Sequence, residues 1–435
     1  MIRAARRTGL VFFPAFDWAI SPSHPEREER LLYTQDQVLE EGLLDIDGIV
    51  EYRVRPATYE DLRRVHFCVP DEAAVTTESH LISAGGCLVA ADAVLNGEVE
   101  SAFALVRPPG HHSRRVVHGN RGFCNINNEA VMIEYIRGKY GIKKIAIVDT
   151  DCHHGDGTQD IYWHDPNTLF ISIHQDGRTL YPGSGFPEEA GGPNAQGFTI
   201  NIPLPPHTGE QGFLHVMDEL VMPLLEKFEP EIVINSAGQD NHFNDPITNM
   251  NFSARGYATL NALLKPDIAV LEGGYAVENA LPYVNVGIIM AMAGMDTSNV
   301  KEPNYDRDYQ QQPPEITRNI EQIVVQLRDL FLESGLKTVP YEEGRIVERS
   351  RDVFYDTDGI HERQHEKIRC CQQCAGALAI ASTSNLGQHI LAVQIPVEAC
   401  TACRQVGLAW FEEGTRGAFS HVYLQDRVRG VYECT

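Results

Sequence analysis

Between Gly9 and Met295 the chain repeats one pattern: a short apolar run, a cluster of polar and glycine residues, then a stretch with helical periodicity. The runs at 9–13, 102–106, 145–148, 168–173, 198–202, 231–235 and 268–271 read as strands. Segments ending near Leu39, and those at 79–95, 128–137, 209–228, 253–264 and 277–292, read as helices, with Ser253 carrying the side chain of an N-cap. Alternation of this kind predicts an α/β fold, a mostly parallel sheet with helices on both faces. In such sheets ligands collect beyond the carboxyl ends of the strands. Nearly every run here delivers polar residues at that end, which burial alone does not require, and this points to one shared site.

The organising stretch is the run Ile145-Ala146-Ile147-Val148 followed by Asp149-Thr150-Asp151-Cys152-His153-His154-Gly155-Asp156-Gly157. Asp151 and His153 stand two apart, so in extended geometry they share a side. A carboxylate and an imidazole on one side suit a borderline divalent ion such as zinc. An isolated Asp-x-His is as often only a polar loop; the other strand ends give it weight. Asp240, after Ser236-Ala237-Gly238-Gln239, can supply a third ligand, although alone an Asp there is more often a cap or turn residue. Three protein ligands leave room for water and substrate. His111 and His112, after Arg107-Pro108-Pro109-Gly110, can act as a general base and an electrostatic partner or acid. Asp149 and Asp156 are natural carboxylates to orient these imidazoles. Tyr275, after two glycines, can aim its hydroxyl at a developing oxyanion.

The 435 residues exceed one average domain. A large domain (1–335), a linker (336–368) and a small C-terminal module (369–435) are expected. The net charge of −24 disfavours nucleic-acid and membrane-surface binding and is compatible with cationic substrates. No apolar run is long enough to span a bilayer. Residues 1–15 are briefly signal-like but are read as a basic leader into the first strand. Residues 295–314 read as a surface loop, and 315–333 as an amphipathic helix. Residues 341–368 are charged without a clear apolar face, hence the linker. Of ten cysteines, four form the pairs Cys371-x-x-Cys374 and Cys400-x-x-Cys403. That arrangement reads as a zinc ribbon in a reducing compartment, so a cytoplasmic location is expected. Cys370 is an alternative to Cys371 as ligand. Residues 378–380 and 389–393 look like strands of a small β unit, which four thiolates on zinc would staple. Dimerisation, substrate recruitment and domain support all remain open as roles for this unit.

Taken together, His24-Pro25-Glu26-Arg27, Arg107 to His112, Gly122-Phe123-Cys124-Asn125, Asp149 to Gly157, Tyr181-Pro182-Gly183-Ser184-Gly185, Ser236 to Asp240 and Glu272-Gly273-Gly274-Tyr275 resemble, in order, the blocks of the histone deacetylase superfamily. That superfamily also holds acetylpolyamine amidohydrolases and acetoin-utilisation proteins. The resemblance covers roughly residues 10–330. It implies an arginase-like α/β fold and zinc-dependent hydrolysis of amides, with acylated lysine side chains or acetylated polyamines as substrates. It implies Asp151, His153 and Asp240 as ligands of zinc (or ferrous iron), and His111 and His112 as tandem catalytic histidines backed by Asp149 and Asp156. Tyr275 would polarise the carbonyl, and Phe123 and Tyr181 would wall an acyl-lysine tunnel, with Gly122 and Gly273 as further substrate-contact positions. Tyr181 departs from the more usual phenylalanine, and Gln239 stands where many relatives carry Phe, Ala or Leu. Arg30 resembles the arginine of an internal acetate-release channel, and Asp149, Asp151, His153 and Ser172 match a structural potassium site.

Two other classes are weighed against this one. An arginase-like ureohydrolase needs a two-metal aspartate set, and the tandem histidines favour the deacylase. A non-catalytic acyl-lysine binder would tolerate loss of a catalytic group, and every expected group is present. A homo-oligomer is compatible with the sequence, which does not specify one.

Overall fold

The computed structural model describes residues 2–13, 20–21, 23–306, 311–334 and 341–435; the expected leader, the 295–314 loop and the linker fall partly outside them. Up to Leu271 the strands are β1 (Arg3–Phe12), β2 (Asp47–Tyr52), β3 (Phe67–Cys68), β4 (Ser101–Leu105), β5 (Val116–Val117), β6 (Ile145–Asp149), β7 (Thr168–Gln175), β8 (Thr199–Leu204), β9 (Ile232–Ala237) and β10 (Ile268–Leu271). β3 and β5 make a separate short pair. The other eight form one sheet, ordered β2-β1-β4-β10-β9-β6-β7-β8, in which every pairing is parallel.

The central strands are apolar on both sides because helices cover both faces. Phe103, Leu105, Ala146 and Val148 enter one core; Ala102, Ala104, Ile145 and Ile147 enter the other. Helix Asn128–Tyr140 is started by the Asn127 side chain, which accepts from the Ala130 N–H. Ser253 caps helix Ala254–Leu264 in the same way, accepting from the Gly256 N–H. The expected helix at 277–292 begins only at Leu281, with Pro282 in its first turn.

Residues 341–368, expected as linker, instead hold β11 (Ile346–Tyr355) and most of β12 (Ile360–Arg369), an antiparallel hairpin. With β13 (Leu378–Ser384), β14 (His389–Ile395), β15 (His421–Asp426) and β16 (Val431–Cys434) they complete a second sheet in sequential order. Helix Thr401–Gly414 makes the crossover between the parallel strands β14 and β15. The C-terminal unit is thus larger than the expected ribbon, and its sheet carries the four cysteines at one end.

This sheet shares a core with the large domain: Phe67, Val69 and Val116 pack with Ile368, Leu378, Ile380, Ile390 and Ala392. Buried polar contacts join the two as well. His164 Nε2 lies 2.9 Å from Glu366 Oε1, and Arg351 pairs with Asp160. Among the described residues no helix is long and apolar enough to cross a membrane.

Candidate active site

The loops that leave the carboxyl ends of β4, β6, β9 and β10 converge on one buried cluster. Asp151, His153 and Asp240 place their ligand atoms within 4.8 Å of one another. His153 Nδ1 is 2.8 Å from Asp240 Oδ2 and 3.2 Å from Asp151 Oδ1. Backbone donors aim the carboxylates: the Gly273 N–H donates to Asp151 Oδ2 at 2.7 Å, and the Cys152 N–H to Asp240 Oδ1 at 2.8 Å.

Two buried carboxylates so close repel. Burial and the Asp151 charge raise the Asp240 carboxyl above its ordinary range. Burial opposes charge on His153, but Asp240 and Asp151 overcome it and raise that imidazole to about 10. A divalent cation would relieve the repulsion, and one imidazole with two carboxylates is a borderline-metal donor set. The residues therefore fit such an ion.

His111 and His112 stand beside this cluster with ring centroids 4.1 Å apart. His111 Nδ1 is 3.1 Å from Asp149 Oδ2, and His112 Nδ1 is 2.9 Å from Asp156 Oδ1. The environments of the two rings differ. Burial disfavours charge on His111, yet Asp151 and Asp149 hold its pKa well above the ordinary value. Burial, and then the neighbouring His111, lower His112 to about 3. Asp156 also accepts from Arg114 (2.6 Å) and Arg121 (2.8 Å), and stays ionised despite its burial.

Tyr275 is buried, and its backbone N–H donates to Asp245 Oδ2 at 2.8 Å. Burial keeps its phenol protonated far above the ordinary range. The Tyr275 ring meets Phe123 edge-on at 5.6 Å, and the Tyr181 ring meets His112 edge-on at 5.1 Å. Phe123 adopts φ 68°, which a bulky side chain rarely does, and follows Gly122 at φ 53°. Gly122 packs directly on the His112 ring, where a Cβ would collide, so the position requires glycine.

Arg30 is fully buried behind Tyr275 with its guanidinium 5.0 Å from that ring. It donates to the Gly274 carbonyl (2.8 Å), the Glu272 carbonyl and Glu26 (3.0 Å). Glu26 also accepts from Arg107 at 2.6 Å, so one buried carboxylate ties the β4 loop to Arg30. Ser172 Oγ is 2.8 Å from His174 Nδ1, beneath the loop that follows β6.

Sequence reasoning assigned no role to Glu272, Asp245 or Arg121. The Glu272 carboxylate accepts from the Gly110 and His111 N–H groups (2.6 and 3.1 Å), which fixes the turn that presents the tandem histidines. The only signal in the sequence was its place at a strand end ahead of two glycines.

Away from this site, Cys371, Cys374, Cys400 and Cys403 bring their sulfurs within 4.8 Å of one another. Cys371 Sγ lies 3.8 Å from Cys400 Sγ and 3.6 Å from Cys374 Sγ. A tetrahedral ion with metal–sulfur bonds of about 2.3 Å has sulfur–sulfur edges of roughly 3.8 Å, so the cage fits zinc. Backbone N–H groups of Gln373 and Cys403 and the Arg369 guanidinium donate to the sulfurs, as thiolates need. Cys370 stays outside the cage; its backbone carbonyl accepts from Gly344.

Comparison with known proteins yields a consistent family. The histone deacetylase domain model matches residues 72–286, a span that contains every convergent residue from His111 to Tyr275. A probable deacetylase of Archaeoglobus fulgidus is 46% identical over 328 residues, 68% of this chain and 90% of the relative. A histone deacetylase-like amidohydrolase of Pseudomonas aeruginosa is 32% identical over 344 residues, covering 72% of this chain and 86% of the relative. The crystal structure of the HDA15 HD domain superimposes with a TM-score of 0.64 at 27% identity, over 76% of this chain and 95% of that one. A parallel sheet whose carboxyl edge gathers these residues, matched to such relatives over most of their length, places the chain in the histone deacetylase superfamily.

Proposed function

We propose that this protein is a zinc-dependent deacylase that hydrolyses the amide between an acyl group, acetyl in the simplest case, and a lysine side chain or related amine. Deacetylase and amidohydrolase activity is what its relatives' names carry. The finer reading rests on one observation: the Asp151–His153–Asp240 donor set lies beside two histidines, each bonded through Nδ1 to its own buried carboxylate. Imidazoles oriented in this way are suited to acid and base roles.

Zinc held by Asp151, His153 and Asp240 would polarise the substrate carbonyl and acidify the attacking water. His112 is neutral, with Nδ1 committed to Asp156, so its Nε2 is left to take the proton of that water. His111, braced by Asp149, stands beside it and, with His112, returns a proton to the departing amine. Tyr275 keeps its phenolic proton and donates it as a hydrogen bond to the developing oxyanion. Phe123, Tyr181, Gly122 and Gly273 enclose the aliphatic stem of the acylated amine. The same reading includes Arg30 at the acetate exit, potassium near Asp149, Asp151, His153 and Ser172, a structural zinc on the four cysteines, and a cytoplasmic location.

Acetylated polyamines are a second substrate class. The carboxylate of Asp356 at the mouth favours them: it lies 3.3 Å from the Tyr181 hydroxyl, and no cation among the described residues pairs with it. A steady-state panel on zinc-loaded protein tests the proposal, comparing acetyl-lysine peptides, longer acyl-lysine peptides and N-acetylated polyamines, each with and without a hydroxamate. Hydroxamate-sensitive turnover of one class is expected. No turnover of any class, with metal present at both sites, would leave an amidohydrolase of another small amide or a non-catalytic binder.

A further inference from the structure

The family model ends at residue 286, yet the second sheet, which starts at Ile346, reaches back to the catalytic mouth. The reach is made by the tip of the β11–β12 hairpin, Asp356-Thr357-Asp358-Gly359. Asp356 Oδ1 accepts from the Gly122 N–H at 2.9 Å and lies 3.3 Å from the Tyr181 hydroxyl. Asp358 Oδ2 accepts from the Asn120 N–H at 2.6 Å, and the Thr357 hydroxyl donates to Asn120 Oδ1 at 2.6 Å. Asp358 and Ile360 press closely on Gly119, so a Cβ there would have to displace their side chains. One turn back, the Tyr355 hydroxyl donates to the Val116 carbonyl at 3.0 Å, and His118 Nε2 lies 2.9 Å from Ser382 Oγ. Residues 116–122 therefore run along the second sheet.

What this segment carries makes the contact consequential. Arg121 pairs with Asp156, the partner of His112. Gly122 packs on the His112 ring. Phe123 follows in its left-handed conformation. Such a backbone persists only where its surroundings over-determine it. The large domain contributes a reciprocal backbone pair between Arg121 and Cys124. It also supplies the Asn120 Nδ2 to Asn125 Oδ1 bond and the Cys124 thiol on the Gly122 carbonyl, but the backbone N–H groups of Asn120 and Gly122 are both held by the hairpin.

We infer that Asp356 and Asp358 are positioning residues of the active site: the C-terminal sheet holds the 119–123 loop so that Phe123 and Gly122 form the tunnel wall. The inference rests on the tunnel reading above. It gives the C-terminal unit a role in the reaction itself, and it makes the four-cysteine cage, which braces the same sheet, a distant support of substrate binding.

The test uses full-length zinc-loaded protein and a blocked acetyl-lysine amide with no other charge, so that attraction of a cationic substrate plays no part. Asp356→Ala and Asp358→Ala are each expected to raise KM about tenfold or more, with a smaller fall in kcat and with hydroxamate affinity falling in parallel. Metal content and melting temperature should stay near wild type. Asp356→Asn and Asp358→Asn keep an acceptor for the same N–H groups and should recover to within about threefold. Alanine variants within twofold of wild type, or asparagine variants as impaired as alanine, would overturn the inference. Amide hydrogen exchange across residues 119–124 separates it from the reaction itself. If the wild type turns over no amide, the deacylase reading fails, while faster exchange in the alanine variants, restored by asparagine, still supports the anchor. Unchanged exchange overturns it.

Discussion

His112 Nδ1 sits 2.9 Å from Asp156 Oδ1, and the same carboxylate is gripped by Arg114 and Arg121. Asp156 is therefore the carboxylate on which both guanidinium groups and the His112 ring converge. Asp156→Asn preserves shape but leaves two arginine charges uncompensated and weakens control of the His112 tautomer. It should cut kcat/KM by about 10- to 100-fold and lower the midpoint of urea unfolding. An unchanged kcat/KM in a folded variant would remove the orienting role.

The four-cysteine cage predicts about two metal ions per chain, one in each site. Cys400→Ser should lose one of them and keep the catalytic one, with a clear fall in melting temperature, because a metal that closes such a cage supplies folding free energy. Elemental analysis of wild type and variant checks both counts. A single zinc in well-folded wild type would eliminate the cage as a metal site.

His66 is buried with Nδ1 2.8 Å from the Arg114 carbonyl, while Nε2 accepts from the Asn127 N–H at 3.0 Å. The first contact needs the proton on Nδ1 and the second forbids one on Nε2, so the neutral tautomer is fixed. Burial lowers this imidazole from 6.5 to about 4. A folded-state pKa below the unfolded value means that the contribution is complete above pH 6.5 and is lost as pH falls toward 4, on the order of 3 kcal/mol in total. His66→Gln should make the unfolding free energy depend less steeply on pH across that window. An unchanged slope would show that His66 does not titrate with folding.

The central strands were readable because their environment is uniform: β4, β6 and β10 are buried along their whole length and so carry unbroken apolar runs. The convergent residues were readable for a related reason. Asp151, His153, Asp240 and His111 follow such runs, where polar side chains are conspicuous. The edge strand β2 was missed because its apolar run is only Ile49-Val50, between Gly48 and Glu51, and Ile49 alone is buried. The β11–β12 hairpin was missed for a different reason. Its inward positions on β12 include Glu362, Gln364 and Glu366, which are buried against His118, Arg351 and His164 rather than in oil. A strand whose buried face is polar has no apolar period to detect, and the residues that satisfy it lie more than two hundred positions away in His118 and His164. Glu272 and the Asp356 contact escaped in the same way, since each acts through a partner remote in sequence.

The most direct test of the account is steady-state hydrolysis of an acetyl-lysine peptide by zinc-loaded wild type, His112→Ala and Tyr275→Phe, with metal content measured on each sample. The account predicts hydroxamate-sensitive turnover by the wild type and losses of about 10²- to 10⁴-fold in each variant with the catalytic metal retained. Near-wild-type turnover in either variant would contradict it.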